Sequence, residues 1–281
     1  MMKYIFQVLC FTLLFICGGK FSANAQYYYK DIMNNNEQNK EFSILKNGDI
    51  KLIKVKSFDD KDQPSEGFFC EKKINKKFLQ SEMMSKSNIT GESVLITDYN
   101  KDGKVIKTTT NTPTTTNTVE FKYNDAGLLS LIRTSTSADG DSSGIIETHE
   151  YTYENGTPIK MIRKKNNILV STITFVKDEK GNVIEEDPIG NTNDKKYYYY
   201  YDDSNLLTDV VHFNVIANRL LPDYMFEYNK DNKPSQMISV DETGRNYFIW
   251  KYSYDDKQLP EIQKCYSKEK QLLGTIQFDY K

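Results

Sequence analysis

The chain has 281 residues, of which 13% are aromatic and 27% charged, and its formal net charge is −2. A mildly acidic surface of mixed sign gives no electrostatic footprint for nucleic acid, so we expect no nucleic-acid partner. The length allows one large β domain or two smaller domains.

A secretory signal peptide is predicted over residues 1–25. Lys3 supplies a positive start, the stretch from Tyr4 to Cys17 is apolar, and Ala23-Asn24-Ala25 is a small-residue cleavage site before Gln26. The apolar stretch has about 14 residues, short of the roughly 20 that a membrane-spanning helix needs. We therefore expect an exported chain, in the periplasm, on the cell surface or in the medium, with no membrane span after processing.

Two cysteines remain after the predicted cleavage. Cys10 and Cys17 leave with the signal peptide, and lipid attachment at Cys17 is disfavoured because Ile16 stands where a small residue is needed. Cys70 and Cys265 could form a disulfide in an oxidising compartment. Residues 26–40 are polar and rich in Asn, which predicts a poorly ordered leader before a repetitive all-β domain over residues 41–281.

A short motif recurs through the last two-thirds of the chain. Its units have an anchor residue, usually Tyr, followed by Asn or Asp and then, four positions after the anchor, by Gly or Asn in most copies. Successive anchors are 24 to 30 residues apart, a spacing that indicates a repeat architecture. The copies are YNKDGKV (Tyr99), YNDAGLL (Tyr123), YENGTPI (Tyr153), KDEKGNV (Lys177), YDDSNLL (Tyr201), YNKDNKP (Tyr228), YDDKQLP (Tyr254) and a truncated copy at Tyr280-Lys281.

Each unit is predicted to be a β-hairpin of about 25 residues. Apolar residues alternate with polar ones before every anchor, as in Val119, Phe121 and Tyr123, which is typical of a strand with one buried face. The Gly or Asn four positions after the anchor suits a turn that requires a positive φ. We therefore expect positive φ at Gly103, Gly127 and Gly181. Further hairpins are predicted at Leu45–Val55 and around INKKFLQ from Ile74, and loops at 59–67, 108–118 and 136–144.

The repeat resembles the YD repeats of Rhs-like bacterial proteins, with YNDAGLL and YDDSNLL as the copies nearest to the pattern. The resemblance covers residues 94–281, and the A-N-A/Q end of the signal peptide is similar to that of exported Bacteroidetes proteins. It implies tandem antiparallel β-hairpins that form one long curved or partly closed repetitive sheet. Large members of the family form shells from many more repeats, so their function is not carried over to this chain.

Enzyme signatures are nearly absent from the sequence. Of the two histidines, His149 lies on the buried parity of its strand, which favours a packed core residue over a ligand or a base. Zinc-type Cys/His spacing, nucleophile elbows and phosphate-binding glycine loops are missing. The acid pairs Asp202-Asp203 and Glu185-Glu186 would suit glycoside hydrolysis only if two carboxylates met across a cleft. No cofactor is expected.

One metal candidate stands in the first clear repeat. Asp98, Asn100 and Asp102, followed by Gly103, match the first half of a calcium loop, but Thr109 occupies the place of the closing Glu. A hairpin turn is the favoured interpretation, so no metal site is predicted.

The five consecutive tyrosines at residues 197–201 raise the question of a second apolar face. Tyr197, Tyr199 and Tyr201 share the buried parity of the repeat, so two tyrosines are left on the face that other units keep polar. The candidate ligand-binding patch on that face is Tyr198, Tyr200, Met225, Tyr247 and Ile249. We expect a second layer, from the N-terminal hairpins or a curled edge, to cover this patch. The other hypothesis is an exposed aromatic surface that binds a glycan or a peptide.

A transmembrane barrel is the architecture most easily confused with this repeat. Its outward face must be an apolar band, whereas here the face opposite the anchors carries Glu120, Lys122, Glu227 and Lys251. The sequence therefore favours an exported, non-enzymatic binding or scaffold protein whose partner is a glycan or a cell-envelope protein. The alternative is a hydrolase that processes envelope glycans. The oligomeric state is left open.

Overall fold

The computed structural model describes residues 27–138, 144–190, 194–214, 218–241 and 244–281. These residues form one α-helix and eighteen β-strands. The elements are α1 (Tyr29–Asn47), β1 (Leu52–Phe58), β2 (Phe69–Ile74), β3 (Gln80–Ser87), β4 (Gly91–Tyr99), β5 (Val105–Asn111), β6 (Thr115–Tyr123), β7 (Leu129–Ala138), β8 (Ile145–Glu154), β9 (Thr157–Lys165), β10 (Ile168–Lys177), β11 (Val183–Ile189), β12 (Tyr197–Tyr201), β13 (Leu207–Asn214), β14 (Arg219–Tyr228), β15 (Pro234–Val240), β16 (Tyr247–Tyr254), β17 (Pro260–Ser267) and β18 (Leu272–Tyr280).

The eighteen strands close into one antiparallel β-barrel. Every strand pairs with its neighbours in sequence, and β18 pairs with β1, where Ile53 lies opposite Tyr280 and Val55 opposite Phe278. The predicted all-β fold of tandem hairpins is confirmed, and the sheet closes fully. Closure leaves no unpaired edge strand.

The N-terminal strand completes the last repeat. Tyr280 at the end of β18 is the last anchor of the repeat. The backbone N–H groups of Lys51 and Leu52 donate to the Lys281 carbonyl at 2.8 Å, and the Lys281 N–H donates to the Leu52 carbonyl at 2.8 Å. Strand β1 therefore pairs with β18 in the position that a return strand occupies in the other repeats.

The turns of the repeat have the predicted geometry. At Gly103, Gly127 and Gly181 φ is +83°, +75° and +86°, which confirms the expected positive values. In the first turn the Asn100 side-chain oxygen accepts the N–H of Lys104 at 2.8 Å. In five other turns the residue after the anchor likewise accepts, through its side-chain oxygen, the backbone N–H four positions further on. These residues are Asn124, Asp178, Asp202, Asn229 and Asp255.

Six anchor tyrosines join their hairpin to the one before it. The phenol hydroxyl of Tyr123 donates to the carbonyl of Val105, the first residue of the preceding return strand, at 2.7 Å. Each such bond satisfies a backbone carbonyl at the turn and links two repeats. The same bond, at 2.6 to 2.8 Å, joins Tyr153 to Leu129, Tyr201 to Val183, Tyr228 to Leu207, Tyr254 to Pro234 and Tyr280 to Pro260.

Helix α1 lies inside the barrel and runs between its two ends. We call the end with the tyrosine-anchored turns the turn end and the opposite end the loop end. Tyr28, at the start of the helix, donates to Asp194 in the β11–β12 connection at the loop end, at 2.8 Å. Lys46, near its last residue, donates to the Lys101 carbonyl at the turn end, at 3.1 Å. The predicted disordered leader over residues 26–40 is wrong wherever the structure describes it, because these residues are helical from Tyr29 onward.

The core is built where the helix meets the inward side chains of the wall. Near the loop end, Tyr27, Tyr28 and Ile32 pack against inward residues of β7 to β13. Near the turn end, Phe42 and Leu45 pack against β1 to β5 and β15 to β18. The Phe42 ring stacks on Tyr99 with ring centroids 3.5 Å apart. The helix thus supplies the second layer of the domain.

Several local predictions need correction. The hairpin predicted at Leu45–Val55 is instead the end of α1 followed by β1, and most of the loop predicted at 108–118 belongs to β5 and β6. The hairpin around INKKFLQ and the loop at 59–67 are confirmed by β2, β3 and the connection that precedes β2. Of the loop predicted at 136–144, residues 139–143 lie outside the described residues, as does the predicted signal peptide. The described helix is not long and apolar enough to cross a membrane.

The two cysteines do not form the disulfide that the sequence allowed. Cys70 on β2 and Cys265 on β17 are both buried, and neither is in a disulfide. Strands β18 and β1 lie between them in the closed sheet, so their Cα atoms are separated by three strand spacings of about 4.8 Å each. That separation exceeds the reach of a disulfide.

Candidate functional site

The tyrosine run divides between the two faces of the barrel wall. Tyr197 is fully buried and Tyr199 is 2% exposed, and both point into the barrel against the first residues of the internal segment. The ring of Tyr197 lies 5.5 Å from that of Tyr27, and the ring of Tyr199 lies 5.3 Å from that of Tyr29. Tyr200 is 49% exposed on the outer face.

Apolar outer side chains line up across the neighbouring strands. Cross-strand pairing places Met225 opposite Ile238, Ile238 opposite Ile249, and Ile249 opposite Tyr266. One position nearer the loop end on the outer face, Val240 lies opposite Tyr247. We define the outer patch as the five predicted residues together with Ile238 and Tyr266, which both pair with Ile249: Tyr198, Tyr200, Met225, Ile238, Tyr247, Ile249 and Tyr266.

The expected second layer over this patch is absent among the described residues. The N-terminal segment packs inside the barrel, so it cannot cover the outer face, and closure of the sheet leaves no edge to curl over it. Tyr198 is half-buried, with the Lys196 ammonium 5.2 Å from its ring centroid, and Ile249 is 9% exposed between its outer neighbours. All five predicted residues therefore lie on the outer wall, where Tyr200 is the most accessible ring.

Polar groups border the outer patch. Asp209 lies directly opposite Tyr200 and Met225 on the neighbouring strands, and it shares their outer face. The next outward row toward the turn end is polar or charged, formed by Glu227, Gln236, Lys251 and Lys264. The patch thus offers aromatic rings beside hydrogen-bonding side chains on a rigid wall.

Inside the barrel, a wall carboxylate caps the helix. Glu186 on β11 is fully buried, and its carboxylate accepts the N–H of Tyr28 at 2.8 and 2.9 Å and the N–H of Tyr29 at 2.9 Å. The Tyr199 hydroxyl donates to the same carboxylate at 2.8 Å. An anion at a helix N-terminus satisfies N–H groups that have no partner within the helix and interacts favourably with the helix dipole.

A second polar group fixes the first turn of the helix. His149 on β8 bonds Asp31 of α1 through Nδ1 at 2.7 Å and Glu147 through Nε2 at 3.0 Å. Arg163 on β9 donates through Nε and Nη2 to the two Glu147 oxygens, both at 3.0 Å, and Tyr151 donates to Asp31 at 2.8 Å. Every carboxylate of the group is therefore paired with a donor.

These contacts shift the titration of the buried groups. Burial raises the pKa of Glu186 to about 7, although the N–H groups of Tyr28 and Tyr29 oppose the rise. Burial alone would lower the pKa of His149, but the bond and charge of Asp31, with those of Glu147, raise it to about 9. Burial disfavours the charged form of Glu147, yet its bonds to His149 and Arg163 lower its pKa to about 2.

The calcium candidate is not assembled into a site. The Asn100 side-chain oxygen is engaged by the turn, and Asp98 points outward from β4, where it accepts from the Gln80 side chain at 2.8 Å. Asp102 lies exposed in the turn. Among the described residues no group of three or more His, Cys, Asp or Glu side chains is placed to hold a metal ion.

Sequence reasoning located the outer patch but missed the interior polar group. Glu147 shares the inward parity of His149 and Tyr151, which was the available signal, whereas Glu186 has the opposite parity to the buried Val183 and gave no signal. Their partners on α1 could not be found, because the helix itself was not predicted.

The fold and these two sites define a closed antiparallel β-barrel with an internal helix. Similar solved structures include a porin-like protein from Bacteroides uniformis, at 10% identity and a TM-score of 0.42, covering 83% of this chain and 98% of that chain. A porin-like protein from Bacteroides vulgatus has 12% identity and a TM-score of 0.34, covering 71% and 97%. The Photorhabdus luminescens Tc holotoxin pore has 12% identity and a TM-score of 0.25, covering 73% of this chain and 11% of that chain. No family model and no curated protein matches the chain.

Proposed function

We propose that this chain is an exported, non-enzymatic binding protein of the cell envelope that engages a glycan through the outer patch. The observation that carries the proposal is the patch itself, a set of apolar and aromatic side chains on the outer wall that no described segment covers. Exposed apolar patches rimmed by polar residues mark interaction sites. As part of the same proposal, we treat the repeat as one of the YD type that it resembles.

The chemistry of the patch favours a sugar over an extended peptide. A pyranose ring presents C–H groups that pack on an aromatic face, while its hydroxyl groups need donors and acceptors at the rim. Tyr200 supplies an accessible ring, and Asp209 stands opposite it on the same face. A peptide that added a strand would need a free sheet edge, and the closed barrel offers none.

The interior acids have a structural role in this account. Glu147 and Asp31 share one histidine, and Glu186 accepts three hydrogen bonds. These contacts anchor α1 to the wall, so we assign the carboxylates to holding the helix and not to glycoside hydrolysis.

Binding to an array of envelope glycans tests the proposal, with mass spectrometry of each bound glycan as the check for turnover. We expect Tyr200→Ala to weaken binding about tenfold, which corresponds to about 1.4 kcal/mol. Lys122→Ala, on the outer face of β6 on another part of the wall, is the control and should leave binding unchanged. Hydrolysed product in the wild-type reaction, or equal binding by the Tyr200 and Lys122 variants, would contradict it.

A further inference from the structure

The most exposed apolar side chains of the barrel gather at the loop end. The β9–β10 hairpin carries three in a row directly after its turn, with Ile168 70% exposed, Leu169 60% and Val170 43%. Neighbouring strands add Ile145 at 49%, Ile189 at 54%, Phe213 at 44% and Leu220 at 42%, each at or near the strand terminus at that end. We define these seven residues, all on β8 to β14, as the apolar rim.

The turn end has a different character. Its turns are built from Asn, Asp, Lys and Gly. The large apolar residues exposed near it are Leu79 and Ile106, both under 40%, Val176 at 44% and Tyr200 at 49%, all less exposed than Ile168, Leu169 and Ile189 of the rim. The molecule is therefore polarised along the barrel axis. Asn166 and Asn167 form the turn itself, so the three exposed apolar residues that follow it have no role in shaping the turn, and an exposed apolar cluster of this kind marks an interaction site.

The chain outside the described residues joins the barrel at the same end. Tyr27, the first described residue, lies against Tyr197 at the loop-end terminus of β12, and Tyr28 bonds Asp194 beside it. The 26 residues before Tyr27 include the apolar stretch from Tyr4 to Cys17. The described chain therefore begins at the loop end.

We propose that the barrel docks end-on against a lipid bilayer through the apolar rim. The Ile, Leu and Val side chains that follow the β9–β10 turn enter the interface, and transfer of this apolar area from water drives the association. Lys165 and Arg219, both exposed and adjacent to rim residues, face anionic headgroups. The polar wall and the turn end remain in water, so the barrel stands on the membrane and does not span it.

Vesicle sedimentation tests the proposal with the processed chain beginning at Gln26, which contains every described residue and lacks the apolar leader. The vesicles are phosphatidylethanolamine with phosphatidylglycerol and carry no glycan, so the result is independent of the proposed glycan site. We expect the wild type to sediment with the vesicles. The double variant Ile168→Ser/Leu169→Ser should lose at least about tenfold in partitioning. Leu79→Ser, an exposed leucine change at the turn end, is the control and should bind as the wild type does.

A second variant and a second measurement protect the test from misfolding and from self-association. Phe213→Ser alters another rim residue and should weaken partitioning in the same direction. Light scattering without vesicles reports the oligomeric state. Failure of the wild type to sediment, equal sedimentation of wild type and double variant, or a dimer that the double variant abolishes would overturn the proposal, the last in favour of a second copy on the rim.

Discussion

In six of the repeats the tyrosine at the start of the turn contributes both a ring and a hydroxyl group. Its ring belongs to the inward face, while its hydroxyl reaches the first carbonyl of the preceding return strand, as from Tyr228 to Leu207 at 2.6 Å. Phenylalanine would keep the packing and lose the link between repeats. This bond explains why a tyrosine, and not another apolar residue, suits the anchor position.

Replacement of Tyr228 by Phe should lower the free energy of unfolding by about 1 kcal/mol, the typical net worth of one hydrogen bond. Tyr200→Phe removes the same hydroxyl from a ring that is 49% exposed on the outer face, and it should change stability by less than about 0.5 kcal/mol. Urea denaturation of the two variants measures both values. Equal losses of unfolding free energy in the two variants would show that the anchor hydrogen bond does not stabilise the fold.

Much of the residue-scale structure could be predicted from sequence. Gly103, Gly127 and Gly181 follow from the φ that the turn needs, and the division of the tyrosine run follows from the period of a strand. The cap at Glu186 could not be predicted. The role of this buried carboxylate depends on hydrogen-bond partners 157 and 158 residues away in the sequence, and no local sequence pattern identifies them.

At the scale of elements, helix α1 is the part that sequence reasoning missed. Its buried residues Ile32, Asn35, Phe42 and Leu45 share one side of the helix, but Asn35 is polar and the rest of the segment is rich in Asn, Glu and Lys, so the sequence shows no clear apolar stripe. Helix stability here comes from tertiary contacts more than from propensity. Asn39 shows this directly, since its side-chain oxygen accepts the N–H of Val105 at the turn end, at 2.9 Å.

The pH dependence of stability tests how the helix start is held. Glu186 and His149 both bind a proton more tightly in the folded chain than in the unfolded chain, where their pKa values are 4.5 and 6.5. Stability should therefore fall as pH rises, from 4.5 to about 7 because of Glu186 and from 6.5 to about 9 because of His149. Glu147 has the opposite sign, and its contribution is lost as pH falls from 4.5 toward about 2.

We expect the thermal unfolding midpoint to be highest near pH 5 and to decline toward pH 9. Glu186→Gln should flatten the decline between pH 5 and pH 7 while the decline above pH 7 persists. Glu185→Gln changes the adjacent residue, which faces outward and pairs with Lys196, and should keep the wild-type profile. Calorimetry across this pH range provides the measurement, and identical profiles for the two variants would contradict the role given to Glu186.

For the whole molecule, closure of the sheet organises every other feature. It places the anchors inside, the candidate patch outside, and the helix between opposite walls. The repeat predicted a curved sheet, but closure depends on β1, which carries no copy of the motif and meets β18 more than 200 residues later in the sequence. A pairing between strands so far apart in the sequence depends on the whole fold and cannot be predicted from either strand alone.

The seam between β1 and β18 is therefore the direct test of the account. Lys54 and Asp279 are cross-strand partners on its outer face. Cα atoms so paired lie about 5.5 Å apart, within reach of a disulfide. Lys54→Cys/Asp279→Cys, oxidised in the folded state, should yield the linked peptide pair by mass spectrometry. Lys54→Cys/Lys122→Cys, with the second thiol on β6, should yield none. Free thiols at positions 54 and 279 in the folded, oxidised double variant would contradict a closed barrel.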